Sequence, residues 1–234
     1  MAKIISLALI FLFIIAVSLI IAIFYAINER RKNMELLRTV TDKNRGTVSE
    51  RKLILKLLKH EIPAITIYHD LYVELYNGHY SQIDAVVVTR VGIIVFEVKD
   101  YCGWIFGKGY QDNWTQVLAY GKEKHKFYNP ILQNRGHIQA LKKKLSNVAD
   151  VPFYSVVVFY GKCTLKDVSY IPDFTYVGYG GSEMSIVEEI LENNPPVNYK
   201  DKWCVINALR KAAANGENRE IVNRHIQNVR NCYR

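Results

Sequence analysis

The chain has 234 residues, half of them hydrophobic, and its 31 Lys and Arg against 22 Asp and Glu give a formal net charge of +9. The hydrophobic residues are unevenly spread: residues 4–27 contain no charged side chain, and 22 of these 24 are apolar. By subtraction, the other 210 residues are about 45% hydrophobic and about 25% charged, as in a globular domain. This distribution excludes a fully soluble protein, a multi-pass transporter and an intrinsically disordered chain.

Residues 4–27 are predicted to form a transmembrane helix in the lipid bilayer, because 24 helical residues extend about 36 Å and the bilayer hydrocarbon is roughly 30 Å thick. The alternative, a cleaved signal peptide, needs a shorter apolar region, and residues 24–28 offer a poor cleavage site. Lys3 alone precedes the span, whereas six basic residues lie within 28–45. The positive-inside rule therefore predicts a single-pass protein of the cell membrane, with its N-terminus outside and its C-terminal domain cytoplasmic.

The cysteine pattern fits a cytoplasmic domain. The cysteines are widely spaced, form no CxxC pair and have no histidine at metal-ligand spacing: Cys102, Cys163, Cys204 and Cys232. We expect free thiols in a reducing compartment rather than disulfides or structural zinc.

The residues after the span alternate in composition in a way that predicts helices and strands. Residues 28–43 are polar and basic and are expected to form a juxtamembrane linker. Thr47 and Glu50 then form a capping-box pattern, which opens a helix that continues to about His60. Asn77-Gly78 is a hairpin signal between segments rich in β-forming residues. Three strands of an antiparallel meander are predicted, at about residues 65–75, 80–89 and 93–99.

The next segments complete a mixed α/β order. Residues 101–128 are rich in glycine and aromatic side chains and are expected to form a short β excursion and a loop. Asn129-Pro130 starts a helix, because asparagine is a favourable N-cap and proline fits the first turn. Val156–Phe159 is a continuous apolar run, typical of a strand buried on both faces. The order is therefore α-β-β-β-α-β, followed by helices at about residues 185–192, 201–215 and 217–232.

Three charged residues lie inside otherwise apolar strands: Asp84, Glu97 and Lys99. Strand periodicity places Glu97 and Lys99 on one face. A two-residue turn at Arg90-Val91 would place Asp84 opposite Glu97, whereas a bulge at the next glycine would shift the register by one residue. Opposed carboxylates repel each other, but a divalent cation between them makes the pair favourable, and oxygen ligands suit Mg²⁺. The alternative is an ordinary ion pair between Asp84 and Lys99 at a strand end.

The spacing of Asp84 and Glu97-Val98-Lys99, with twelve residues between them, resembles the PD-(D/E)xK signature of restriction-endonuclease-like nucleases. An ordered set of segments more narrowly resembles the NERD (nuclease-related) domain: residues 45–50, 81–84, 92–99, 103 and 129–133. The resemblance covers about residues 44–160 and implies a restriction-endonuclease-like αβββαβ core. Ile83 stands where the broad signature has proline. The strand extension and helices of residues 161–234 lie outside the resemblance, as does the membrane span.

The resemblance implies a metal-dependent nuclease that hydrolyses phosphodiester bonds, with DNA as the expected substrate. Asp84, Glu97 and the backbone carbonyl of Val98 would bind Mg²⁺ or Mn²⁺, and Lys99 would assist the nucleophile or the transition state. No small-molecule cofactor is implied. Many related nucleases act as dimers, so a homodimer is one expected assembly.

Two further residues each have two interpretations. Glu50 would border the metal site in the family's arrangement, or it would simply close the capping box with Thr47. Gln133 would lie near the scissile phosphate, as in nucleases of this class, or it would belong to a solvated helix face with His137 and Lys144.

The basic residues leave the partner open. Lys142, Lys143 and Lys144, with His137, are expected to contact a nucleic-acid backbone, although a solvated helix end is the simpler interpretation of the three lysines. An anionic membrane surface would attract the same positive charge. The alternative function is a catalytically weak or inactive membrane-tethered module that binds nucleic acid or acts as a scaffold. A third hypothesis is a protein-partner platform built on residues 181–234.

Overall fold

The computed structural model describes residues 2–76, 78–147 and 150–232 of the protein. Its N-terminal helix, α1 (Ala2–Leu37), contains a segment, Phe11–Leu37, that is long and apolar enough to cross a membrane. The helix continues without a break through the first ten residues of the region expected to be a linker. One helix near the N-terminus could therefore span a membrane and extend beyond it.

The end of α1 packs against the first helix of the following domain, α2 (Val48–Lys59). Leu37 is buried in a hydrophobic cluster that also contains Leu57. Lys59 Nζ lies 3.0 Å from Glu29 Oε1, which adds an ion pair between the two helices. Apolar burial and one ion pair thus hold the base of α1 on the domain.

Nine strands and four further helices follow α2 in the part of the chain that the structure describes. The strands are β1 (Ile67–Glu74), β2 (Tyr80–Thr89), β3 (Gly92–Asp100), β4 (Gly103–Lys108), β5 (Asn113–Leu118), β6 (Glu123–Tyr128), β7 (Phe153–Tyr160), β8 (Cys163–Ser169) and β9 (Thr175–Tyr179). The helices are α3 (Pro130–Leu145), α4 (Glu183–Asn193), α5 (Lys202–Asn215) and α6 (Arg219–Cys232). The predicted αβββαβ order is confirmed, running from α2 through β1, β2, β3 and α3 to β7.

The central sheet has the strand order β1-β2-β3-β7-β9, with an antiparallel β1-β2-β3 meander and β7 and β9 parallel to β3. The predicted register of the second hairpin is confirmed, because Thr89 pairs with Gly92 across the two-residue turn. No bulge shifts it, and the ladder extends to Ala85 opposite Phe96. Asn77 of the first predicted turn lies outside the described residues.

Helices cover both faces of the central sheet, which explains why its strands are apolar throughout. Alternate residues along each strand face opposite sides. Val87 and Ile94 lie in a buried cluster with side chains of α2 and α4. Val86 and Val95 lie in a second cluster with side chains of α3 and α5. The result is a three-layer arrangement with the sheet in the middle.

A second mixed sheet, with the order β6-β5-β4-β8, replaces most of the loop expected at residues 101–128. The expectation of only a short β excursion was wrong because these strands depend on distant contacts. Trp114 is fully buried and stacks on Phe159 of β7, with ring centroids 6.1 Å apart. Gly107 leaves room for the indole ring, since an added Cβ would collide with it.

The C-terminal helices are part of the same fold. Val205 and Leu209 of α5 are buried in the cluster that contains Leu71 of β1. Arg45, just before α2, donates a hydrogen bond of 2.8 Å to the carbonyl of Ala213 near the end of α5. The region outside the recognised signature therefore covers one face of the sheet that carries it.

Truncating this contact should destabilise the whole domain. Leu209→Ala removes a fully buried side chain, so we expect the free energy of unfolding to fall by roughly 2–5 kcal/mol. Trp203→Ala, on the exposed side of the same helix, should change it by less than about 0.5 kcal/mol. Denaturant unfolding of the full-length protein in detergent micelles measures both. Equal, small effects would show that α5 is not part of the cooperative core.

Candidate active site

A cleft of about 450 Å³ opens where β2 and β3 separate. The ladder between these strands ends at the Ala85–Phe96 pair, so it does not continue to Asp84 of β2 and Glu97 of β3. The cleft walls come from the segment before α2, α2, β1, β2, β3, α3 and the start of α6: Asn44, Arg45, Gly46, Thr47, Glu50, Asp70, Tyr72, Gln82, Asp84, Glu97, Val98, Lys99, Gln133, Gly216 and Val222. All five residues expected to be catalytic therefore line one cleft, together with Val98.

Asp84 lies at the separation of the two strands and takes the place of a strand hydrogen bond. Its Oδ2 accepts the backbone N–H of Val98 at 2.7 Å. Burial, followed by the negative charges of Glu97 and Glu50, raises the pKa of Asp84 well above its usual range. The Val98 hydrogen bond and the Lys99 charge act in the opposite direction but are outweighed. The cleft therefore holds an excess of negative charge around this carboxyl group.

Glu97 is almost fully buried, and its two oxygens have different surroundings. Oε1 lies 2.6 Å from Lys99 Nζ. Oε2 lies 3.3 Å from His137 Nε2, but the pair is not aligned for a hydrogen bond. Glu97 Oε2 and His137 Nε2 are both buried without a hydrogen-bond partner in the described structure. A buried carboxylate oxygen without a donor costs free energy, so this oxygen is poised to accept a cationic ligand.

Lys99 is held between two elements. Its Nζ contacts Glu97 and donates a hydrogen bond of 2.9 Å to Gln133 Oε1 on α3. Burial alone would lower the pKa of Lys99, but attraction to Glu97 outweighs it and the net shift is upward. Gln133 is positioned by its neighbour Asn134, whose side chain donates to the carbonyl of Val95 at 2.8 Å. The lysine therefore stays charged and points into the cleft.

Glu50 closes the capping box and also lines the cleft. The capping box is confirmed: Thr47 Oγ1 accepts the N–H of Glu50, and Glu50 Oε1 accepts the N–H of Thr47 at 3.1 Å. The same carboxylate is buried, lines the cleft and lies 3.2 Å from His69 Nε2. Burial raises its pKa, but the hydrogen bonds from His69 and Thr47 outweigh burial and lower it. Glu50 is therefore an anion in the same cleft as Asp84.

Sequence reasoning missed the part of the site that lies on β1. Asp70 accepts hydrogen bonds from Arg45 at 3.3 Å and from Gln82 at 3.2 Å. Its φ of +52° interrupts the β1–β2 ladder between the pairs on either side of it. His69 and Asp70 are polar residues inside an apolar strand, which is the same signal that identified Asp84. In β1 this signal identifies both residues.

The basic residues expected to contact nucleic acid occupy two different places. Lys142, Lys143 and Lys144 are exposed at the end of α3, and the ammonium of Lys143 lies 3.3 Å from the centre of the Tyr76 ring. His137 is instead buried beside Glu97, with Nδ1 2.7 Å from Ser81 Oγ. The three lysines form a basic surface at the helix end, while His137 lies buried behind Glu97 and does not line the cleft.

The donor set fits a hard divalent cation held by few protein ligands. Among the described residues, no group of three or more His, Cys, Asp or Glu side chains is arranged to hold a metal ion. Asp84 and Glu97 supply two carboxylates, one of them with an unpartnered buried oxygen, and Val98 adds a backbone carbonyl. Mg²⁺ keeps several water ligands and commonly binds through one or two carboxylates. The residues present therefore suit Mg²⁺ better than a metal that needs an all-protein cage.

The raised pKa of Asp84 predicts a pH-dependent stability. Because the folded state binds this proton more tightly than the unfolded state, its stabilising contribution is present at acidic pH and is lost as pH rises through the folded pKa. Asp84→Asn keeps an acceptor for Val98 N–H, so in EDTA it should stabilise the protein by roughly 0.5–2 kcal/mol near pH 8. The gain should vanish near pH 4. Thermal unfolding of both proteins across this range checks it, and a loss of stability at pH 8 would contradict it.

Residues 45–160 match the family model that describes the nuclease-related domain, NERD. An uncharacterized protein of Bacillus anthracis is 32% identical to the chain over 125 residues, which are 53% of this chain and 57% of the relative. No solved structure matches the chain significantly. The matched residues include all elements from α2 to β7 and, with them, the five cleft residues expected to be catalytic, whereas α1 and the C-terminal helices lie outside. Residues 45–160 of this chain therefore form a nuclease-related (NERD) domain.

Proposed function

We propose that this protein is a metal-dependent nuclease that is anchored in the cell membrane and hydrolyses phosphodiester bonds, with DNA as its substrate, at the cytoplasmic face. The observation that carries the proposal is the cleft at the β2–β3 separation, where two carboxylates and a charged lysine converge. Glu97 Oε2 is buried there without a hydrogen bond, which favours a bound cation. The apolar length of α1 and the basic residues after it support the membrane anchor and its orientation.

The chain's own groups have distinct tasks in this reaction. Asp84, Glu97 and the Val98 carbonyl would hold Mg²⁺ or Mn²⁺, which when bound orients a water and stabilises charge on the phosphate oxygens. Lys99 keeps its proton because Glu97 raises its pKa, so it acts as a cation beside the phosphate rather than as a base. Gln133 holds that cation in place through the 2.9 Å hydrogen bond. Lys142, Lys143 and Lys144 offer phosphate contacts outside the cleft.

The test is cleavage by the full-length protein in detergent micelles, with single- and double-stranded DNA and RNA, in Mg²⁺, Mn²⁺ or EDTA. We expect metal-dependent cleavage of DNA that falls by at least about 10²-fold in Asp84→Asn, which removes a charged metal ligand, and in Lys99→Gln, which removes the cation beside the phosphate. Lys162→Gln, an exposed lysine outside the cleft, is the matched control and should leave the rate unchanged. Cleavage that persists at the wild-type rate in both cleft variants would refute this mechanism.

One observation favours a second candidate, a tethered nucleic-acid-binding or scaffold module without turnover. Lys99 lies 2.6 Å from Glu97 Oε1 and thus already balances one of the two carboxylates expected to bind metal. Calorimetry distinguishes the two functions. A nuclease should bind Mg²⁺ or Mn²⁺ at one site that is lost in Glu97→Gln, because this substitution removes a charged ligand. A scaffold should show no metal binding that depends on Glu97.

A further inference from the structure

A buried row of polar side chains connects the segment after α1 to the acidic cleft. Thr41 lies four residues beyond the end of α1, and its Oγ1 is 2.7 Å from His69 Nδ1. On the other side of the ring, His69 Nε2 is 3.2 Å from Glu50 Oε2. The three residues are 6%, 2% and 5% exposed, respectively. The row therefore runs through the interior from the base of the membrane helix to the wall of the cleft.

The partners of His69 determine where its proton lies. A carboxylate only accepts hydrogen bonds, so Nε2 must carry the hydrogen that faces Glu50. The Thr41 hydroxyl can donate or accept, so it partners Nδ1 whether or not that nitrogen carries a hydrogen. Both ring nitrogens therefore have a partner, and the ring is held from both sides.

The contact with His69 helps to fix the orientation of the Glu50 carboxylate. Its Oε1 is held by the N–H of Thr47 at 3.1 Å, and its Oε2 by His69, so that each oxygen has one donor. Each oxygen retains a second lone pair. Since Glu50 lines the cleft with Asp84 and Glu97, the His69 contact helps to decide where one carboxylate of the cleft points.

The backbone at Gly46 passes close to the row. Gly46 has a φ of +60°, and an added Cβ would collide with the Glu50 carboxylate and with the His69 ring. A residue with a side chain therefore does not fit at this position without displacing the row.

We propose that His69 is a positioning residue of the cleft, which holds the Glu50 carboxylate in the cleft wall, and that Thr41 holds the His69 ring from its other side. This proposal rests on the nuclease function proposed above. It makes Thr41, which is not among the residues that line the cleft, part of the support of the active site.

The experiment compares His69→Leu, which removes the donor, with His69→Gln, which keeps an N–H near the position of Nε2. With the full-length protein in micelles, the leucine variant should lower kcat by about 10–100-fold and raise the Mg²⁺ concentration for half-maximal rate, as expected when a group that orients a metal-site carboxylate is lost. KM for DNA should change by less than about twofold, because no substrate contact is lost. The glutamine variant should recover most of kcat. His125→Leu, an exposed histidine on β6, is the matched control and should have no effect.

A double-variant comparison separates positioning from a general loss of structure. If His69 acts through Glu50, His69→Leu should cause no further loss of kcat in a Glu50→Gln background. A further loss equal to that in the wild-type background would overturn the proposal, and so would a failure of His69→Gln to recover activity while the protein remains folded.

A measurement that does not depend on cleavage completes the test. Long-range ¹H–¹⁵N correlation spectra of the histidine rings should show a hydrogen on Nε2 of His69 in the wild type. A ring without a hydrogen on Nε2 would overturn the proposal whatever the activity. Absence of cleavage by the wild-type protein would instead refute the nuclease function itself, so the two failures are distinguishable.

Discussion

The hydrogen bond from Val98 N–H to the Asp84 carboxylate, 2.7 Å long, is the contact on which the geometry of the cleft depends. It occurs where the β2–β3 ladder has ended and beside the interruption that Asp70 introduces into the β1–β2 ladder. An aspartate side chain thus takes a backbone donor that a neighbouring strand would otherwise satisfy. Because β3 continues alone beside β7, Glu97 and Lys99 can face a cleft rather than another strand.

This arrangement concentrates negative charge and leaves it partly uncompensated. Glu50, Asp84 and Glu97 share the cleft, and the cation of Lys99 contacts only one of the three. The neighbouring Asp70 has its own counter-ion in Arg45, so it does not draw Lys99 away. Buried carboxylates that no counter-ion in the protein neutralises cost free energy in the unliganded state. This is expected of a site whose negative charge is compensated by a bound ligand.

The sequence predicted what local patterns control. The register of the β2–β3 hairpin follows from a two-residue turn, and the capping box follows from residues three positions apart, so both were found without a structure. The second sheet was missed because Trp114 and Phe159, which hold it, are 45 positions apart. The contacts of His69 and His137 escaped for the same reason, since no periodicity reports which distant carboxylate a buried histidine will meet.

The base of α1 has a mechanical consequence. The helix stays intact to Leu37, and its last turns are fixed on α2 by apolar burial and by the Lys59–Glu29 ion pair. With α1 in the bilayer, the ten residues beyond the predicted span act as a strut about 15 Å long rather than as a flexible leash. The helix would then hold the cleft at a fixed distance and orientation above the lipid headgroups. In the proposed nuclease, this arrangement would confine cleavage to a nucleic acid that passes close to the membrane surface.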